Sequence, residues 1–158
     1  MWKEQNQSEI LVGDLLRKKE ELGLKFYRDC IKKTNQFSTK YVLQKVLRVH
    51  QDHIEDLKLD LQHLSEDKVE ANFVTQLEKG TSLSNLTDEF DLATLTFREA
   101  TRLAIRIAEN DIKFYEQLLE NDLDKSSIKT IERVLYKKST YVMQLKGEYE
   151  RLKSDMEK

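Results

Sequence analysis

The sequence predicts an all-α protein, a bundle of four helices in which two antiparallel helix pairs are joined by a long crossover. Charged residues make up 35 % of the 158 residues and hydrophobic residues 39 %, while proline is absent and glycine occurs only four times. A composition of this kind favours long uninterrupted helices over sheets. The chain is long enough for one domain to bury a substantial core, so we expect a single domain over residues 1–158.

An internal repeat is the second observation behind this prediction. At an offset of 88 positions, Glu20–Tyr27 falls on Ala108–Tyr115 and Lys45–Leu47 falls on Arg133–Leu135. Because one offset serves two separate segments, a duplicated helix pair is the simplest explanation. We therefore expect helix pairs over residues 8–64 and 94–153, with the crossover over residues 65–93.

The first helix pair is predicted from the spacing of its inward positions. The first helix should begin after Ser8, a suitable N-cap, and run to about Lys33. Its inward positions recur at alternating spacings of three and four, at Gly13, Leu16, Glu20, Gly23, Tyr27 and Cys30.

A short polar break over residues 34–37 requires the next helix to return antiparallel. That helix should run from about Thr39 to Leu64. Its inward positions are Leu43, Val46, His50, His53, Leu57 and Leu64.

Residues 65–91 break this periodicity and make up most of the predicted crossover. We expect its least ordered stretch at residues 80–82 and a short extra helix over residues 72–77. A helix of about 25 residues is roughly 37 Å long at about 1.5 Å per residue. Only a connection of this length can span the second helix and start the third helix parallel to it.

The second helix pair is marked by cap chemistry as well as by spacing. Thr96 and Glu99 have the spacing of a capping box at the start of the third helix, which should end near Asn121. Its inward positions are Ala104, Ala108, Asp111, Tyr115 and Leu118. The fourth helix places Ile131, Val134, Lys138, Tyr141, Leu145 and Leu152 inward, and its last residues, 154–158, should fray.

Two helix pairs with a long crossover resemble the ferritin-like superfamily, and the local motifs are similar to its rubrerythrin-like branch. Those motifs are Glu20 with Tyr27 seven residues later, Glu99–Ala100 with Ala104, and Lys113–Tyr115. The resemblance covers about residues 8–152. It implies a dinuclear iron site in the middle of the bundle, where one helix of each pair gives a Glu and the other gives a Glu-x-x-His pair.

At the matching positions, this sequence departs from the ligand pattern of the family. Glu20 and His53 match a glutamate and a histidine ligand. The other ligand positions carry different residues, namely His50 and Lys138 for the two bridging glutamates, Ala108 for the third-helix glutamate and Tyr141 for the second histidine. Asp111 lies one turn beyond Ala108, where some rubrerythrins have an extra carboxylate ligand. Since two ions need about six ligands, we expect that the di-iron site is degenerate and has been lost.

Two interpretations of the remaining polar residues follow. In the first, Glu20, His50 and His53, with Asp111 as a fourth ligand, bind one iron or zinc ion. In the second, they are satisfied polar groups of the core, and Lys138 replaces the metal charge by pairing with Asp111, Glu20 or both. We favour the second, without a cofactor, because Lys138 points at the space that a metal would occupy.

The resulting functional prediction is a rubrerythrin-related protein without catalytic activity, acting as a structural or interaction module. The alternative is a mononuclear metal protein with residual redox activity. A homodimer is expected because the apolar stripe of Leu11, Leu15, Leu22 and Phe26 is not needed by the inward positions of the first helix. The rival explanation is that Phe73, Val74 and Leu77 of the crossover cover this stripe.

Several other classes are disfavoured by composition. The net charge of −2 arises from 27 basic and 29 acidic residues mixed along the chain, which argues against nucleic-acid binding. No apolar run approaches the ~20 residues of a membrane span. Cys30 is the only cysteine, so an intramolecular disulfide and a cysteine-based zinc site are excluded. Residues 1–7 lack the apolar core of a signal peptide, and we expect a cytoplasmic protein with His63 at its surface.

Overall fold

The computed structural model describes residues 8–61 and 66–157. In chain order the elements are β1 (Glu9–Leu11), α1 (Val12–Lys33), α2 (Phe37–Leu61), β2 (Lys68–Glu70), α3 (Ala71–Gly80), α4 (Ser84–Thr87), α5 (Phe97–Leu118) and α6 (Lys125–Glu157). The predicted all-α class is confirmed, because helices make up most of these ranges and each strand has only three residues.

The four long helices pack as neighbours around the core. Helix α1 packs against α2, α5 packs against α6, and α2 also packs against α5. Two apolar clusters fill the interior. One contains Leu43, Val46 and Ala108, and the other contains Leu16 and Phe114. Each long helix contributes side chains to both clusters, so the positions between the clusters lie at the centre of the molecule.

The chain enters its first helix differently from the prediction. Ser8 is not the N-cap, because residues 9–11 form β1, which pairs antiparallel with β2 and places Ile10 opposite Val69. The backbone N–H of Val12 donates to Asp67 O at 2.9 Å, which ties the start of α1 to the crossover. The strand partner is about 60 residues away in sequence, so local spacing did not reveal it.

The crossover contains more helix than the sequence predicted. The predicted short helix is confirmed and is longer, as α3, while α4 adds one further turn. Thr81 lies in the stretch predicted to be least ordered, yet it is buried, and its N–H and hydroxyl donate to Leu77 O at 3.0 and 2.7 Å.

The apolar stripe on α1 is partly covered by this crossover. Leu15 is buried in the same cluster as Val74 and Leu77, with Phe73 packed beside them, which confirms the rival explanation for that position. Leu22 remains 46 % exposed and Leu11 remains 37 % exposed. Coverage by the crossover is therefore incomplete.

The start of the second helix pair agrees with the capping residues that the sequence predicts. Thr96 Oγ1 accepts from the Glu99 N–H at 3.1 Å, and the Glu99 carboxylate accepts from the Thr96 N–H at 3.2 Å, so the capping box is confirmed. Helix α5 ends at Leu118 and not near Asn121, and α6 continues through the segment predicted to fray. Positions 63 and 64 lie outside the described residues. In the ranges that are described, no helix combines the length and the apolar character needed to cross a membrane.

Candidate functional site

Four helices bring ionisable side chains together at the centre of the molecule, between the two apolar clusters. Helix α1 contributes Glu20, α2 contributes His50, α5 contributes Asp111 and α6 contributes Lys138, and all four are buried. These four residues and Lys19 of α1 are called the ion cluster below. The helical spacing explains the convergence, since each residue of the four continues the inward stripe of its own helix.

Lys138 is the centre of the ion cluster. Its ammonium Nζ lies 3.2 Å from Oε1 of Glu20 and 3.2 Å from Oδ2 of Asp111. Its side chain is only 4 % exposed. The expected pairing of Lys138 with both carboxylates is confirmed, and a buried ammonium is stable here because two carboxylates face it.

Glu20 accepts hydrogen bonds from two further side chains. The Tyr115 hydroxyl donates to Oε1 at 2.5 Å, and Nε2 of His50 lies 3.0 Å from Oε2 and 3.1 Å from the backbone oxygen of the same residue. Both of these oxygens are acceptors only, so Nε2 of His50 carries the hydrogen. Each carboxylate oxygen of Glu20 therefore has a donor beside the Lys138 ammonium.

Gly23 makes the position of His50 possible. A Cβ atom at this position would lie 2.6 Å from Nε2 and 2.9 Å from Cε1 of His50. Only a residue without a side chain allows the imidazole to approach α1 so closely and reach Glu20.

Lys19 also belongs to the ion cluster, although it was not among the site residues predicted from the sequence. Its Nζ donates to Oδ1 of Asp111 at 2.5 Å and lies 5.4 Å from the centre of the Phe114 ring. Its side chain is 10 % exposed. One signal was present, because Lys19 falls within the apolar stripe formed by Leu15 and Leu22, where a surface charge is out of place.

The pKa shifts follow from this arrangement. Burial alone would raise the pKa of Glu20, but the Lys138 ammonium and the hydrogen bond from His50 hold it well below its ordinary value. The pKa of Asp111 is likewise lowered, since Lys138 and Lys19 outweigh its burial. The pKa of Lys138 is raised because Asp111 and Glu20 outweigh its desolvation. Two carboxylates and two ammonium groups thus face one another in the ion cluster.

His53 has a different environment from His50. Its ring packs edge-on against Tyr141 at 6.0 Å, and no hydrogen bond or ion pair joins it to the ion cluster among the described side chains. Burial and the nearby Lys138 ammonium lower the pKa of His53 to about 4. Tyr141 is half-buried, at a position where the resemblance implies a histidine. Glu109 points outward, where it pairs with Lys146 at 3.1 Å.

The geometry does not fit the dinuclear metal site that the resemblance implies. The Lys138 ammonium contacts the two carboxylates that would face the ions, and a cation there repels metal ions. Two cavities of about 10 Å³ each border the ion cluster, enough for about one water molecule each. Over the described residues, no three or more histidine, cysteine, aspartate and glutamate side chains are arranged to hold a metal ion.

Comparisons with protein-family models, with curated proteins and with solved structures found no match to this chain. The likeness to the rubrerythrin-like branch therefore stays a prediction from the sequence motifs.

Proposed function

We propose that the chain is a rubrerythrin-related, ferritin-like helical protein in which an ion cluster replaces the dinuclear metal centre, and that it acts as a self-associating structural or interaction module without catalytic activity. The observation that carries this proposal is the position of the Lys138 ammonium, 3.2 Å from an oxygen of each of two buried carboxylates. Lys138 and Lys19 together supply two positive charges for the two carboxylates, and the Lys138 ammonium lies between them, which leaves no open coordination position for a metal ion.

The order and direction of the helices support the proposed ancestry. Ion pairs join α2 to α6 at Lys45–Glu148 (3.5 Å), at Asp56–Lys137 (2.9 Å) and at Asp60–Arg133. Position numbers rise along α2 as they fall along α6, so these two helices run antiparallel. Two pairs connected by the long crossover would produce this relation, as in the ferritin-like arrangement.

Metal analysis of protein purified without a histidine tag tests the proposal. We expect less than one equivalent of iron, manganese or zinc per chain, also after incubation with each ion in excess and removal of the free ion. The Lys138→Glu variant, which restores a carboxylate at a bridging position, should retain more metal than the wild type. Two equivalents of iron in the wild type, with the optical bands of an oxo-bridged pair, would contradict the proposal.

A second candidate function is a mononuclear site for iron or zinc at Glu20, His50 and His53. The lowered pKa of His53 favours it, because a neutral imidazole is available to bind a metal at neutral pH. One tightly bound zinc ion, lost in a His53→Ala variant, would establish this candidate in place of the first.

A further inference from the structure

The outward face of α2 carries a stripe of six residues that no element covers in the described part of the chain. The stripe consists of Tyr41, Lys45, Arg48, Asp52, Glu55 and Leu59. Its spacings alternate between four and three, with a mean close to the 3.6 residues of a helical turn, so it runs straight along the helix. It lies opposite the inward positions of the same helix, such as Val46 and Leu57.

Both ends of this stripe are apolar and exposed. Tyr41 is 62 % exposed and Leu59 is 63 % exposed. Between these ends the charges are segregated, with Lys45 and Arg48 in the first half and Asp52 and Glu55 in the second half. A surface helix that only needed solubility would not require apolar ends or a separation of basic from acidic residues.

The order of residue types along the stripe is complementary to the same order read in the opposite direction, so two copies of the stripe can pair antiparallel. A two-fold axis level with position 50 would place Arg48 of one copy opposite Asp52 of the other. The same axis would place Lys45 opposite Glu55, and Tyr41 opposite Leu59. Because a two-fold interface uses the same surface twice, every contact of this kind occurs twice. Alternating spacings of three and four are also those of antiparallel helices that pack along their length.

In the described part of the chain, each charged residue of the stripe forms either no ion pair or only an exposed one. Lys45 reaches Glu148 only at 3.5 Å, and Glu55 pairs with Lys58 one turn away at 3.1 Å. Exposed pairs of this type contribute little to stability, so they can be exchanged for pairs across an interface. Within the described residues, neither Arg48 nor Asp52 takes part in an ion pair.

We propose that the α2 stripe is the surface on which two copies of this chain associate, antiparallel about a two-fold axis. The partner is a second copy, because the order of apolar, basic, acidic and apolar residues matches itself when reversed. This inference rests on the proposed self-association and assigns it to α2, in place of the α1 stripe that the sequence indicated.

Charge reversal tests this surface by sedimentation over a series of protein concentrations. Arg48→Glu places like charges opposite each other at two symmetric contacts, and so does Asp52→Arg. Each variant alone should weaken dimerisation at least about tenfold. An equimolar mixture of the two variants should recover a heterodimer, because both contacts then join opposite charges again. The double variant within one chain should likewise recover the homodimer.

Matched variants control for folding and for other surfaces. Lys113→Glu makes the same charge change at an exposed position of α5 and should leave the dimer intact, with circular dichroism confirming that each variant is helical. Leu22→Ser on α1 and Met143→Ser on α6 change exposed apolar residues of the rival faces and should also leave it intact.

Two results would overturn the assignment, and they have different consequences. A wild-type dimer that is insensitive to Arg48→Glu and Asp52→Arg would refute the α2 surface but leave self-association in place. A wild-type monomer at every concentration would refute both, whereas the ion cluster would still be judged separately by metal analysis. A mixture of the two variants that stays monomeric would also refute the two-fold pairing.

Discussion

Gly23 shows how one backbone position controls the contacts of the ion cluster. Alanine has a higher helix propensity than glycine by about 1 kcal/mol, so Gly23→Ala would stabilise an ordinary helix. Here the new methyl group would stand 2.6 Å from the His50 ring and displace it from Glu20. Loss of the contact and the overpacking should together destabilise the protein by about 1–3 kcal/mol.

Chemical denaturation of matched variants measures this effect. Gly147→Ala is the control, because a Cβ at Gly147 of α6 meets no atom within 4 Å, and that variant should gain about 1 kcal/mol. In a His50→Ala background, Gly23→Ala should no longer destabilise. If Gly23→Ala stabilises the wild type as Gly147→Ala does, the close approach of His50 is wrong.

His53 should make stability depend on mildly acidic pH. Its pKa in the folded protein is about 4, below the value of about 6.5 for an unperturbed histidine. The unfolded chain therefore binds a proton between these pH values while the folded chain does not, so the free energy of unfolding should fall as the pH decreases from 6.5 to 4. His53→Gln should flatten this part of the pH profile, measured by urea denaturation. An unchanged slope would show that His53 titrates normally in the folded state.

The sequence predicts the residues of the ion cluster unequally well. Glu20 and Lys138 were predictable because each continues an apolar stripe whose period is set by the helix. Lys19 was not, because a lysine on the edge of such a stripe can extend to solvent or fold inward. The choice depends on Asp111, which lies 92 positions away and is reached across the α1–α5 contact. The pairing of His53 with Tyr141 depends in the same way on the packing of α2 against α6.

At the scale of elements, local chemistry predicts the start of α5 better than the start of α1. The capping box at Thr96 and Glu99 is contained within four residues, so the sequence alone specifies it. The β1–β2 pairing joins residues about 60 positions apart, and nothing in residues 9–11 distinguishes a strand from a first helical turn. The long helices can be predicted from the periodic spacing of their apolar residues. The helix ends that are set by contacts with the crossover, such as the start of α1, cannot.

Removing the cap should shift the stability of α5 by a predictable amount. Thr96→Ala deletes the oxygen that accepts from the Glu99 N–H, which should cost about 1 kcal/mol of unfolding free energy. Thr96→Ser keeps the acceptor and serves as the control. Equal stability of the alanine and serine variants in thermal denaturation would show that the hydrogen bond at 3.1 Å does not hold the helix end.

At the scale of the whole molecule, the ion cluster lies between the two apolar clusters. Glu20, His50, Asp111 and Lys138 lie on four different helices, so the contacts of the ion cluster join all four. An apolar layer would allow the helices to slide past one another more easily, whereas a buried ion pair is satisfied in only one register. We expect the ion cluster to specify the arrangement of the four helices and the two apolar clusters to supply most of the free energy of unfolding.

We propose that the Lys138 ammonium takes the place of metal charge between Glu20 and Asp111. A double-mutant cycle on the free energy of unfolding tests it most directly. Lys138→Met alone leaves buried carboxylates without their cation and should cost about 3–5 kcal/mol. Adding Glu20→Leu should recover part of this loss, because Asp111 then remains balanced by Lys19. Adding Asp111→Leu should recover less, because it leaves the buried Glu20 carboxylate without a cation and removes the carboxylate that pairs with Lys19.

Lys137→Met is the control for this cycle. Lys137 forms a more exposed pair with Asp56 at 2.9 Å, so this substitution should leave the free energy of unfolding almost unchanged. We expect a large loss for Lys138→Met and a coupling with Glu20 that exceeds the coupling with Asp111. A neutral Lys138→Met, with no coupling to either carboxylate, would show that the Lys138 ammonium does not hold the two carboxylates.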